Sequence, residues 1–74
     1  MKRRDRVRQA VRTWNEQYPP GTPVRVRRDS GDVEETRTRS AAEVAGDVPV
    51  IWLEGVRGCY RLDRVRPVEQ EMAA

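Results

Sequence analysis

The stretch Pro49-Val50-Ile51-Trp52-Leu53-Glu54-Gly55-Val56-Arg57-Gly58-Cys59-Tyr60-Arg61-Leu62-Asp63-Arg64-Val65 holds the densest apolar run, one of two tryptophans and the only cysteine. Residues 50–54 read as a strand, Gly55-Val56-Arg57-Gly58 as a turn and residues 59–62 as the return. With Glu54 opposite Cys59, Leu53 pairs with Tyr60, Trp52 with Arg61 and Ile51 with Leu62. Side chains alternate along a strand, so Ile51, Leu53, Tyr60 and Leu62 share one face. That face is expected to be the core, and the rest of the chain must cover it.

Before this hairpin, Val7, Ala10, Val11, Trp14 and Tyr18 recur at helical spacing, which predicts an amphipathic helix over residues 4–17. Pro19-Pro20-Gly21 stops it. Trp14 is expected to be its core anchor. Arg4, Arg8 and Arg12 lie four apart beside the apolar face. They form either a ridge facing phosphates or a solubilising edge whose stems lie over the core.

A rigid corner over residues 19–23 feeds Val24-Arg25-Val26-Arg27, whose strict alternation predicts a half-buried strand. Asp29-Ser30-Gly31-Asp32 is a turn, and residues 34–39 return. If Thr36 and Thr38 share the inner face with Val24 and Val26, then Arg25, Arg27, Arg37 and Arg39 share the outer one. A slip of one residue would move the whole set. These four arginines are a candidate anion-binding surface, the alternative being a solvated face partly neutralised by Glu34 and Glu35. Ser40 with Glu43 suggests a capping box over a short helical turn ended by Gly46. Residues 62–65 suggest a tight or 3₁₀ turn into a last strand at 65–68, with an unpatterned, frayed tail over residues 69–74.

One helix and about five short strands make the chain mainly β with an N-terminal helix, an α+β class built on a small bent antiparallel barrel. Gly21-Thr22-Pro23-Val24, the turn at Gly31, residues 49–55 and Tyr60-Arg61-Leu62-Asp63-Arg64-Val65-Arg66-Pro67 resemble an SH3-like barrel, the class that includes KOW and Tudor modules. More narrowly, Trp14-Asn15, Pro20-Gly21-Thr22-Pro23-Val24, Thr36-Arg37-Thr38-Arg39-Ser40 and residues 49–55 are similar to short uncharacterised proteins of bacteria, phages and plasmids. That similarity covers about residues 14–68. The wider SH3-like resemblance implies a binding module, with residues 1–18 as the basic helix and 19–68 as the barrel.

Composition narrows the function. Seventy-four residues make one small domain, which buries only roughly 60–65% of its unfolded surface. Charged and apolar residues each make up 36%, phenylalanine is absent, and every large apolar group is needed for the core. There is no histidine to serve as general base or metal ligand, and Lys2 is the only lysine. One cysteine gives neither an internal disulfide nor a zinc cluster. Cys59 is expected to be half-buried and inert rather than a nucleophile activated by Arg57 or Arg61. No segment reads as a membrane span or a secretory signal, which suggests a cytoplasmic protein. The expectation is a module with no enzymatic activity and no cofactor, and the sequence sets no oligomeric state.

Recognition remains. The net charge is +3, and arginine outnumbers lysine fourteen to one. The guanidinium fork suits bidentate phosphate contacts, so DNA or RNA is one candidate partner. An acidic stretch over residues 32–47 favours the other, a host or phage protein bound by an accessory factor of a mobile element. Trp52 and Arg61, placed opposite each other on the hairpin's outer face, are candidates for stacking or a protein hot spot. The alternative is that the corner or the helix covers Trp52.

Overall fold

The computed structural model describes residues 3–69. Its first element, α1 (Arg3–Gln17), contains neither glycine nor proline. Val7 and Trp14 are each only 8% exposed, and Val11 and Tyr18 pack at the edge of the core. Ala10 is exposed, so the buried stripe is narrower than the apolar spacing suggests. The Trp14 and Tyr18 rings lie 4.7 Å apart between centroids, tilted by 53°. Pro19 cannot continue the helix. Pro20 and Gly21 then occupy the centre of a tight turn, closed by the Thr22 amide donating to the Pro19 carbonyl at 3.2 Å. Gly21 has φ +96, a value that side-chain-bearing residues rarely adopt.

β1 (Pro23–Arg27) and β2 (Val33–Arg37) form an antiparallel hairpin in the register Val24–Thr36, Arg25–Glu35 and Val26–Glu34. Gly31, again at φ +96, lets the intervening turn close with its amide bonded to the Arg28 carbonyl at 2.9 Å. The other edge of β1 takes β6 (Val65–Pro67), pairing Arg25 with Arg66 and Val26 with Val65. This first sheet therefore has the order β2-β1-β6. Of the expected inner set, Val24 and Val26 are fully buried and Thr38 is 1% exposed, while Thr36 is only half-buried.

The second sheet, ordered β3-β4-β5, comprises β3 (Glu43–Ala45), β4 (Val48–Trp52) and β5 (Cys59–Arg61). β3 stands where the Ser40–Glu43 pattern suggested a helical turn. Glu43 pairs with Val50 and Val44 with Pro49, while the Ser40 hydroxyl donates to the Ala41 carbonyl instead of capping a helix. Tertiary pairing with β4 overrides a local signal of little more than one turn.

The central hairpin forms two residues out of the expected register. Trp52 pairs with Cys59, Ile51 with Tyr60 and Val50 with Arg61, so Trp52 and Arg61 are not partners. The connection is longer because Leu53 bridges to Thr38 and Val56 turns its side chain into the core, 7% exposed. A shift of two preserves the faces. Ile51 and Leu53 are fully buried, Leu62 is 9% exposed and Tyr60 sits at the core's edge. Cys59 is exposed, not half-buried. A 3₁₀ turn (Leu62–Arg64) then leads into β6, one residue shorter than expected.

Two contacts tie the layers together. The Thr38 hydroxyl accepts from the Gly21 and Thr22 amides at 3.1 and 3.2 Å, fixing the helix-to-strand corner on the β2 end. The Asn15 amide group donates to the Ala42 carbonyl at 3.1 Å and accepts from the Ala42 amide at 2.8 Å. The core cluster draws Trp14 from α1, Val24 and Val26 from β1, Ala42, Ile51 and Leu53, Val56, Leu62 and Val65. The class is mainly β, α+β, with one N-terminal helix and two small antiparallel sheets. Among the described residues no helix is long and apolar enough to cross a membrane. The expected tail lies, from residue 70 onward, outside the described residues.

Candidate functional site

The alternation of β1 sends Val24 and Val26 inward, so Arg25 and Arg27 face out. β6 does the same with Val65 and Pro67 inward and Arg66 outward. Pairing the two strands sets Arg66 directly beside Arg25. The 3₁₀ turn adds Arg64, the end of β5 adds Arg61, and the turn after β1 adds Arg28. The result is a groove of about 610 Å³ lined by these six arginines against two aspartates, Asp29 and Asp63.

Four of the six cations have a carboxylate neighbour. Arg25 bonds Glu35 across the hairpin at 3.1 Å, Arg28 bonds Glu34 at 2.9 Å and Arg61 bonds Asp63 at 2.9 Å. Arg64 pairs with Asp29. Among the described residues, Arg27 and Arg66 have no carboxylate partner. The Arg28 guanidinium also lies over the Tyr60 ring, 5.8 Å from its centroid. Tyr60 first and Glu34 second raise the Arg28 pKa above its ordinary value. Such exposed pairs are worth little individually and are readily exchanged for another anion.

The structure gathers some of the sequence's candidates and scatters the rest. Arg25, Arg27 and Arg61 line the groove. Arg37 sits at the far end of β2, opposite Pro23, with its guanidinium 3.4 Å from the Gly21 carbonyl. Arg39 lies beyond the bridge to the second sheet, its amide donating to the Trp52 carbonyl at 3.0 Å. The four outward arginines of the first hairpin therefore do not oppose one another, because Arg25 faces Glu35. Arg4 and Arg8 line a separate cleft of about 290 Å³ with Val44 and Asp47, and Arg12 is exposed on α1. Trp52 is half-buried on β4.

Arg28, Arg64 and Arg66 are the groove residues that sequence reasoning missed. The signal was present in Arg64-Val65-Arg66-Pro67, which repeats the alternation of Val24-Arg25-Val26-Arg27. What chain order hides is that these two segments pair. Among the described residues there is no group of three or more histidine, cysteine, aspartate or glutamate side chains placed to hold a metal. Comparison with known proteins gives no match to this chain, whether among family models, curated proteins or solved structures.

Proposed function

We propose that the chain is a small non-enzymatic binding module that docks the phosphate backbone of a nucleic acid in the arginine groove. The observation that carries this is the groove itself, where six guanidiniums share one concavity and Arg27 and Arg66 lack a carboxylate partner among the described residues. Arginine is the residue of choice for planar, bidentate phosphate contacts. Adjacent Arg25 and Arg66 repel each other, a cost that an anion placed between them relieves. The sequence contains no histidine, which supports a binding role over a catalytic one.

The same proposal takes the fold as an SH3-like small barrel of the KOW and Tudor class, akin to short proteins of bacteria, phages and plasmids. In support, β2 runs on through the Thr38–Leu53 bridge towards β3, so that both sheets share one continuous segment. The 3₁₀ turn before the last strand fits that pattern too. A cytoplasmic setting belongs to the proposal, because an exposed thiol such as Cys59 stays reduced there.

A second function, an accessory factor bound to a host or phage protein, is favoured by β2. Its residues 33–35 are exposed on both faces, with Val33 60% exposed beside Glu34 and Glu35. Fluorescence anisotropy with labelled single-stranded RNA, single-stranded DNA and duplex DNA separates the two. Phosphate docking predicts binding whose logarithm falls by roughly 1.5–3.5 per decade of salt, as for two to four neutralised phosphates. Arg27→Ala with Arg66→Ala should abolish most of it, and Arg37→Ala with Arg39→Ala should spare it. No binding to any of the three at low salt overturns the proposal and leaves the protein partner.

A further inference from the structure

Of the groove's four ion pairs among the described residues, three are local. Arg61 and Asp63 are two residues apart, Arg28 and Glu34 are six apart, and Arg25 and Glu35 pair directly across one hairpin. The fourth differs. Arg64 and Asp29 are 35 residues apart, one in the 3₁₀ turn and one in the β1–β2 turn, and both line the groove. Asp29's side chain is 88% exposed, so this pair does not seal a core. It joins two walls of an arginine groove by placing a carboxylate on one of the arginines.

We propose that Asp29 is a built-in competitor for phosphate, occupying on Arg64 the position that a ligand's phosphodiester takes. This rests on the phosphate-docking function proposed above. A carboxylate and a phosphodiester each offer a guanidinium two oxygens in similar geometry, so one substitutes for the other without moving the arginine. Arg64 directly precedes Val65, the partner of Val26, and lines the same groove as Arg27. Arg66 follows two residues later on β6. A nucleic-acid backbone seated on Arg27 and Arg66 therefore brings a phosphate to Arg64, where Asp29 must leave. Displacing Asp29 costs the complex the energy of that pair and so lowers affinity. The carboxylate acts as a threshold, admitting a polyanion that engages several arginines at once and turning away single anions.

The test is a double-mutant cycle on Asp29→Asn and Arg64→Ala in the full chain, read by anisotropy with fluorescein-labelled oligouridine across a salt series, with melting temperatures as a check on folding. Asp29→Asn should tighten binding roughly two- to fivefold, the range expected for releasing an exposed pair. The salt slope should stay unchanged, because Arg64 meets a phosphate in both complexes once Asp29 has left. The gain in affinity should vanish in the Arg64→Ala background. If the gain persists without Arg64, Asp29 acts only through net charge and the competitor role is overturned. If wild type binds and Asp29→Asn binds identically, the competitor role falls while phosphate docking stands. If neither binds oligouridine nor a labelled duplex, phosphate docking itself falls and takes the competitor with it.

Discussion

Replacing Trp14 with phenylalanine should cost far less than replacing it with alanine, because phenylalanine keeps an aromatic ring in the core and removes a buried donor. Trp14 is 8% exposed in the helix–sheet contact, yet among the described residues its buried indole Nε1 has no hydrogen-bond partner. Truncation to alanine removes the ring, its contact with Tyr18 and its share of the core, a loss of roughly 3–5 kcal/mol. A domain of this size has roughly 4–11 kcal/mol to lose, so that variant is largely unfolded or close to it. Phenylalanine keeps an aromatic ring facing Tyr18. It leaves about 40 Å³ unfilled, worth about 1 kcal/mol at the measured cavity coefficient. Against this, it removes a buried donor whose unmet desolvation costs about 1–3 kcal/mol. The two terms nearly cancel, and Trp14→Phe should lie within about 1 kcal/mol of wild type. Urea unfolding followed by circular dichroism measures both variants, and an unchanged slope certifies that the unfolding reaction is the same. A loss above about 2.5 kcal/mol for Trp14→Phe would refute the reasoning, because it would mean that the indole N–H has a partner in solution.

Asn15→Ala removes two hydrogen bonds to Ala42 and should cost about 1–2 kcal/mol in urea, with faster hydrogen exchange at the Ala42 amide. Thr38→Val keeps the buried shape but deletes the hydroxyl that the Gly21 and Thr22 amides share. Both amides retain a second backbone acceptor, so the loss should stay near 1 kcal/mol, or about 4–8 °C in melting temperature. Arg66→Ala removes the like-charge neighbour of Arg25, so its melting temperature should stay level or rise slightly while oligonucleotide binding weakens. A clear drop in that melting temperature would show Arg66 to be a structural partner instead.

The fold was legible wherever a side-chain period ran long enough to choose a face. Val7, Val11 and Trp14 name the buried stripe of α1 at helical spacing, and Val24 and Val26 name the inner face of β1. Residues 40–46 misled because a capping box is a local signal, while the pairing of Glu43 with Val50 depends on a strand that comes later. The register of the central hairpin failed for a related reason. Gly55 and Gly58 mark a turn, but nothing local says that Val56 between them is buried, and its burial lengthens the loop by two residues. The faces survived that error because two is the period of a strand.

The groove was half legible, and the missing half explains its chemistry. Counting outward residues on the first hairpin, read as residues 24–39, gives Arg25, Arg27, Arg37 and Arg39, and that count alone suggests opposed like charges. The actual register sets Glu35 against Arg25, so the hairpin partly neutralises itself. Excess positive charge arises instead between strands far apart in sequence, where β6 brings Arg66 to the other side of Arg25 and the 3₁₀ turn brings Arg64. Neither segment carries unusual charge alone, since Arg64 is preceded by Asp63 and Arg25 is answered by Glu35. Folding separates the anions from some of the cations. Asp63 stays with Arg61 and Glu34 with Arg28, and Arg27 and Arg66 are left without such a partner among the described residues. A surface that ends with surplus guanidiniums in a concavity, despite twelve acidic residues in the chain, has kept that surplus against the neutralising contacts open to it. That selective neutralisation, more than arginine content, is what the proposed anionic ligand rests on.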